Sequence, residues 1–352
     1  MANSQARRLF FVVNPIAGSG RAQTCFMALK RLLEAADADF DFSLTTRPGE
    51  GGTLTKSALE RGESAIIAVG GDGTVRECAS AYMDYCEQNS LMGDARPLFG
   101  LFPVGTGNDF ARPLGISGDA DAIMERLMYD SPRDIDMGVC ISSDAASQPC
   151  SASTLALAAR LRPAGDESLL AASGEAAPAL PFVNFSGFGF DVDVVKYTEK
   201  HKKRFNGLLP YMLGVFEAML HLKPLTLTVS YNGQAPQTLS ALLVSVCNGT
   251  HFGGGMNAAP KGDPADGVFD VCILKSINLA QFVWLLPRYV KGGHLSSPHI
   301  CYFKADAVHV ECDKRSELNF DGELTGSIGE GKAADYLIKK GALRLIPGDM
   351  RE

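Results

Sequence analysis

Ala68-Val69-Gly70-Gly71-Asp72-Gly73-Thr74-Val75 lies between an apolar run, Ser64-Ala65-Ile66-Ile67, and a stretch with helical spacing. The segment reads as a glycine-rich turn at the carboxyl end of a strand. Glycine lets the backbone approach a phosphate closely, and the helix amino terminus that follows adds unpaired N–H donors and a favourable dipole. Asp72 would repel a phosphate if it acted alone. A carboxylate at this position makes sense where a divalent cation stands between it and the phosphate oxygens, as phosphoryl transfer requires.

Working outward from the turn, the flanking sequence alternates strand and helix. Leu9–Val13 reads as a buried strand ending in Asn14-Pro15-Ile16-Ala17-Gly18-Ser19-Gly20-Arg21, and Phe26, Leu29 and Leu33 space a helix behind it. Phe40, Phe42 and Leu44 alternate as a second strand that stops at Thr45-Thr46, before a helix around Thr53–Arg61. The helix after the glycine turn is expected from Val75 to about Tyr85. Leu98–Pro103 is a further strand, closed by Val104-Gly105-Thr106-Gly107-Asn108-Asp109. Such alternation implies a mainly parallel sheet with right-handed crossovers, whose ligand crevice lies at the strand carboxyl ends. Three glycine-bearing loops after three such strands point to a nucleotide site.

After about Arg133 the pattern becomes strands with short turns: Ile135–Ile141, Phe182–Phe190, Leu225–Tyr231, Leu239–Val246, Val268–Leu274, Ala307–Glu311 and Glu317–Phe320. Asn232-Gly233 fits a two-residue hairpin turn. The expected organisation is an α/β domain over 1–133 and an antiparallel β-sandwich over 134–335. Tyr336–Ile346 would be a closing strand that returns to the first domain. Residues 142–180, rich in Ala, Ser and Pro without a period, read as a long mobile insertion that carries no catalysis.

Two domains suit 352 residues. A net charge of −7 argues against nucleic-acid binding, which calls for a basic face. The nine cysteines form no C-x-x-C pair and mostly sit in apolar runs, as reduced thiols of a cytoplasmic protein do. Met1–Arg8 lacks the apolar core of a secretory signal, and no apolar run is long enough to span a bilayer.

The three loops together resemble the diacylglycerol kinase catalytic family, which also holds sphingosine and ceramide kinases and bacterial lipid kinases. The matching residues are Asn14-Pro15-x-x-Gly18, Gly70-Gly71-Asp72-Gly73-Thr74 and Pro103-x-Gly105-Thr106-Gly107-Asn108-Asp109-Phe110-Ala111-Arg112. Asn184-x-x-Gly187-x-Gly189-x-Asp191, Asp266-Gly267-x-x-Asp270 and Phe320-Asp321-Gly322-Glu323 follow in family order. The Gly-Gly-Asp-Gly-Thr turn is shared with NAD kinases, whereas the Gly-Thr-Gly-Asn-Asp block is specific to the lipid kinases. The resemblance implies a Rossmann-like domain of the NAD-kinase and diacylglycerol-kinase type joined to a β-sandwich, with the active site between them.

By the same resemblance the activity is ATP- and Mg2+-dependent transfer of the γ-phosphate to a lipid hydroxyl, diacylglycerol-like or sphingolipid-like. Asn14, Arg21, Thr46, Gly70, Gly71, Asp72, Gly73, Thr74 and Thr106 would contact nucleotide, and Asn108 and Asp109 would lie on the acceptor side. Each also has a plainer reading: Asn14, Thr46, Asn108 and Asp109 as helix caps, Arg21 as an exposed helix residue. Transfer to a hydroxyl needs a carboxylate to take the proton and further negative charge to hold magnesium. The family assigns proton acceptance to Glu323, with Asp321 as the competing assignment, and the sequence does not separate them. A structural magnesium is implied at Asp266, with carbonyls from Asp263 and Val268.

Lys200-His201-Lys202-Lys203-Arg204 beside the apolar helix Leu208–Leu222 would suit anionic headgroups, giving peripheral contact at the inner membrane face. His251 and His294 are read as local structure. An NAD-kinase-like enzyme with a soluble acceptor and a non-catalytic nucleotide sensor are the alternative functions.

Overall fold

The computed structural model describes residues 7–129, 131–142, 179–202, 204–205 and 209–348. The proposed insertion thus falls, apart from its edges, outside the described residues, as do Lys203 and Leu208. Among the described residues no helix is long and apolar enough to cross a membrane.

Strands β1 (Leu9–Val13), β2 (Phe40–Leu44), β3 (Ala65–Gly70) and β4 (Leu98–Pro103) form a parallel sheet in the order β2-β1-β3-β4. Every residue of β1, β3 and β4 is buried, as expected of strands covered by helices on both faces. Helix α1 (Arg21–Ala35) buries Ala22, Phe26, Leu29 and Leu33, a single stripe at helical spacing. Helix α2 (Glu50–Glu60) begins earlier than its spacing predicts. Its first N–H groups find a partner on another element: Glu77 accepts from Gly49 N at 2.8 Å and from Gly51 N at 3.0 Å. Helix α3 (Asp72–Gln88) likewise starts at Asp72 rather than Val75, so only Gly71 separates it from β3. Phe110–Leu114, the segment that Asn108 and Asp109 would cap as a helix, is a series of turns, and the next helix is α4 (Ala120–Tyr129).

The second half is a β-sandwich built on β5 (Arg133–Ser142), β6 (Ala179–Phe182), β7 (Phe185–Gly189), β8 (Leu225–Tyr231), β9 (Gln237–Cys247) and β10 (Phe269–Lys275). It is completed by β11 (Ile300–Ala305), β12 (Ala307–Cys312), β13 (Ser316–Phe320), β14 (Glu323–Ile328) and β15 (Ala333–Leu345). Phe182, Phe188, Phe269, Phe320 and Tyr336 are fully buried at its centre, with Phe182 stacked on Phe269 at 5.7 Å. Strand β15 runs antiparallel to β5 and β12, and its last residue, Leu345, pairs in parallel with Phe99 of β4. One hydrogen-bonded sheet therefore runs through both halves.

Three departures from the strand pattern matter for the site. The strand expected over Phe182–Phe190 is broken, because the N–H groups of Val183, Asn184 and Phe185 all donate to the Asp321 carboxylate. It ends at Gly189, whose φ of 94° turns the chain into helix α5 (Phe190–Lys202). Besides α6 (Leu209–Leu220), where an apolar helix is expected, helices α5 and α7 (Leu279–Val290) interrupt the second half. The β8–β9 connection exceeds two residues: the last ladder pair is Val229↔Gln237, and Pro236 has no N–H to extend it.

Candidate active site

The three glycine-bearing loops touch each other. A Cβ on Gly105 would sit 2.3 Å from the Gly71 Cα, so only glycine allows the second and third loops to meet. Asn14 Nδ2 donates to Thr74 Oγ1 at 3.1 Å, and Arg21 Nη2 donates to the Gly105 carbonyl at 3.4 Å. Asn14, Arg21, Gly70, Gly71, Asp72, Gly73 and Thr74 thus form one cluster at the carboxyl edge of the sheet. Thr46 is tied elsewhere, its N–H and hydroxyl both donating to Glu50, the latter at 2.9 Å. Asn108 adopts φ 52° and turns its amide back onto the Gly105 carbonyl at 3.0 Å, so it braces its own loop. Thr106 is exposed at the rim.

A cavity of about 500 Å³ runs from this cluster into the second half, and Asp72, Asp109, Asp191 and Asp321 all line it. Asp72 accepts from Phe110 N at 3.2 Å; burial raises its carboxyl pKa, and the charge of Asp109 raises it further. Asp109 accepts from Gly254 N at 2.7 Å and faces Arg112 at 3.4 Å; burial raises it too, outweighing those donors. Gly107 separates the two acids, with a Cβ there falling 3.0 Å from Asp72 Oδ2 and 3.4 Å from Asp109 Oδ2.

Asp321 is held at φ 51° in the turn between β13 and β14, its carboxylate accepting from Val183 N at 2.9 Å and from Asn184 N and Phe185 N at 3.0 Å each. Burial pushes its carboxyl up to about 6 against the pull of these donors. A carboxylate offers roughly four lone-pair sites. Two donors share Oδ1 and one meets Oδ2, which leaves one site free. Glu323 is not part of the cavity wall. It forms an ion pair with Arg76 of α3, and a Cβ on Gly73 would lie 2.9 Å from its Oε1. The Asp-Gly-Glu triplet therefore straddles the gap, Asp321 toward the cavity and Glu323 against the start of α3.

Sequence reasoning assigned no role to two residues here. Asp191, in the first turn of α5, is buried; it accepts from Asn319 Nδ2 at 3.1 Å while its Oδ1 has no partner, and burial pushes it up to about 7. Its motif position was visible, but not that α5 would turn it into a cavity. Arg76 is an ordinary helix residue in sequence, and only the fold brings Glu323 to it.

Around the residues for which a structural magnesium is implied, the side chains are engaged within the protein. Asp263 faces Arg133 at 3.7 Å and accepts from Ala265 N, while Val268 N donates to Asp266 Oδ1 at 3.1 Å. The other oxygen of Asp266 is taken by Lys304 Nζ at 2.7 Å. The same ammonium reaches Asp270 at 3.2 Å and the Lys261 carbonyl at 3.2 Å. Lys304 is thus bound to Asp266, the side-chain ligand that the resemblance implies. Among the described residues no group of three or more His, Cys, Asp or Glu is placed to hold a metal ion. His251 and His294 are both pulled down by burial, and His294 Nε2 lies 3.1 Å from the Ala258 carbonyl, a structural contact.

Residues 8–140 match the diacylglycerol kinase catalytic domain, and residues 185–347 match the YegS C-terminal NAD kinase beta sandwich-like domain. Residues 8–140 are thus a domain of the diacylglycerol kinase catalytic family. Among its relatives is the diacylglycerol kinase of Bacillus subtilis (strain 168), 28% identical over 92% of this chain and 91% of that one. The diacylglycerol kinase of Staphylococcus haemolyticus (strain JCSC1435) is 24% identical over 90% of this chain and 82% of its own. The fold is similar to the crystal structure of a diacylglycerol kinase from Bacillus anthracis str. Sterne, with TM-score 0.65, 20% identity and 99% of each chain covered. The chain is accordingly a kinase, of the Rossmann-like plus β-sandwich architecture.

Proposed function

We propose that this kinase transfers the γ-phosphate of ATP to the hydroxyl of a lipid, diacylglycerol-like or sphingolipid-like. The observation that carries the reading is the composition of one cavity. Asp72, Asp109, Asp191 and Asp321 line it together with Val194, Val215, Leu243, Phe282 and Leu285. A site that joins carboxylates to a large apolar wall suits an acceptor with a hydroxyl on an acyl or alkyl chain.

ATP would lie across the loops at Asn14, Gly70–Thr74 and Thr106, its phosphates meeting the amino terminus of α3. Asp72 and Asp109 would hold Mg2+: two adjacent carboxylates, both destabilised by burial, are a donor set that a hard cation relieves. When bound, the metal neutralises charge on the phosphates. Asp321 would accept the proton of the lipid hydroxyl. It lines the cavity, has one acceptor site free, and its pKa of about 6 is nearer to that of an effective base than an ordinary aspartate's. Glu323 and Arg76 would work on the phosphate side, and Asp191 would meet the polar head of the acceptor. Catalysis then comes from positioning and from charge stabilisation in a water-poor site.

The test is transfer of labelled phosphate from ATP to a panel of lipids, with NAD as a soluble control, by wild type and by Asp72→Ala and Asp321→Ala. Product in the lipid fraction that both variants lose supports the reading. Full turnover in both folded variants, or phosphorylation of NAD alone, refutes it.

A further inference from the structure

Among the described residues thirteen large apolar side chains are left exposed, and eight of them sit on α6 and α7. On α6 these are Leu209, Met212, Phe216 and Leu220, spaced three and four residues apart and therefore one stripe. On α7 they are Leu279, Val283, Trp284 and Val290. The inward faces of both helices are already in use: Pro210, Tyr211 and Val215 line the cavity from α6, Phe282, Leu285 and Tyr289 from α7. A helix that is apolar on both sides calls for an apolar partner on each. The two helices touch and share one apolar cluster, with Phe282 and Leu285 inside it and Met219 packed against it.

We infer that the outward stripes of α6 and α7 are the surface on which this protein rests against a lipid bilayer. The inference rests on the lipid-acceptor reading for its purpose, and three observations favour a bilayer as occupant. The patch is free of uncompensated acid in a chain of net charge −7: α7 contains no Asp or Glu, and Glu217 of α6 is bound by Lys200 and His201. Arg288 stacks over the Trp284 ring at 3.7 Å, an aromatic and a cation together, both suited to the polar edge of a membrane. Finally, Glu199 and Lys202, exposed on α5, line the cavity, and α5 packs against α6, so the cavity opens on a helix adjoining the one that carries the stripe.

Three residues of the basic segment that the sequence singles out are already ion-paired. Lys200 and His201 are bound to Glu217, and Lys202 to Glu199. Docking is therefore by apolar insertion and should depend little on salt.

Trp284 is the only tryptophan in the chain, so its fluorescence reports on the patch directly. The full chain is mixed with phosphatidylcholine vesicles, with and without brominated acyl chains, at low and high salt. The expected result is a blue shift and quenching of Trp284 by the brominated lipid at both salt concentrations. Phe216→Ser with Met212→Ser should weaken co-sedimentation with vesicles about tenfold or more, the scale of one lost aromatic burial. That variant should keep its turnover on a short-chain, monomeric diacylglycerol and lose it on vesicle-borne substrate. Unchanged Trp284 emission with no co-sedimentation overturns the inference. So does a dimer in sedimentation velocity whose Trp284 is already shielded from acrylamide, because a second copy would then cover the patch. Vesicle-dependent emission in a protein that phosphorylates no lipid in either format would sink the proposed function and leave the docking surface standing.

Discussion

Glu323 of β14 is ion-paired with Arg76 of α3, across 247 residues of sequence, and this contact closes the gap between the α/β half and the sandwich. Arg76 lies one turn into the helix whose amino terminus would face the phosphates. The guanidinium is mostly buried, whereas Glu323 is half exposed, so Arg76 is the fixed partner and Glu323 the replaceable one. A phosphate arriving at α3 can take the guanidinium from the carboxylate, since both offer paired oxygens.

Arg76→Met should therefore raise the KM for ATP about tenfold with a smaller change in kcat, the loss expected of one charge-assisted contact. Glu323→Gln should not raise that KM, because it frees the arginine. Its melting temperature should stay close to wild type, since a partly exposed ion pair is worth at most about 1 kcal/mol. Steady-state kinetics in ATP for both variants check this, and an equal rise in KM in the two would contradict it.

Asp72 faces Asp109 across Gly107, and each carboxyl is raised by burial. Asp72→Asn removes the repulsion, so the apo protein should melt no lower than wild type. Turnover should nonetheless fall by roughly 10²–10³, as when a main electrostatic contributor is lost. Thermal melting without nucleotide, beside turnover with it, gives both halves of the expectation.

The pH profile tests Asp321. A base with a pKa of about 6 is charged above that pH, so kcat should rise as pH climbs through about 6 and then level off. Asp321→Asn should lose this limb together with roughly 10²–10⁴ in kcat. It should also destabilise the fold by about 1–3 kcal/mol, because an amide cannot accept all three of the N–H groups at Val183, Asn184 and Phe185. A limb that persists in the variant would move the proton acceptor elsewhere.

The sequence carried the sheet and the three loops because strand-end glycines and buried apolar runs are local signals. Leu9–Val13 and Leu98–Pro103 were read with their observed bounds. It carried less where a distant group decides. The start of α2 depends on Glu77, and the break at Val183-Asn184 on Asp321. Thr46 stands at a strand end as a phosphate contact would, yet its hydroxyl is spent on Glu50. The choice between Asp321 and Glu323 was illegible for the same reason: two residues apart in the chain, they face different neighbours across the turn.

Asp191 should leave a mark on stability. Burial lifts its carboxyl from 3.8 to about 7. Between those values the folded chain keeps a proton that the unfolded chain has released, so stability falls as pH rises through the window and is flat above it. Asp191→Asn has no proton to lose. Its melting temperature should match wild type near the lower end of the window and exceed it above pH 7. A constant difference at all pH values would mean that Asp191 does not titrate there.

Lys304 is bound to Asp266, the side chain at which the family resemblance implies a magnesium. Burial pulls its ammonium down, but the hydrogen bond to Asp266 and the charge of Asp270 outweigh this and leave it raised. At neutral pH it is charged and holds the two carboxylates and the Lys261 carbonyl together. Lys304→Met would leave Asp266 and Asp270 facing one another, at a cost of roughly 1–3 kcal/mol for the lost charged hydrogen bonds. The vacated oxygens suit a hard cation, so Mg2+ without nucleotide should raise the melting temperature of the variant as it fills them. Wild type, in which the Lys304 ammonium holds those oxygens, should lack this added stabilisation, whatever Mg2+ contributes at Asp72 and Asp109. Equal stabilisation of both proteins over the same titration would mean that Lys304 does not substitute for a cation.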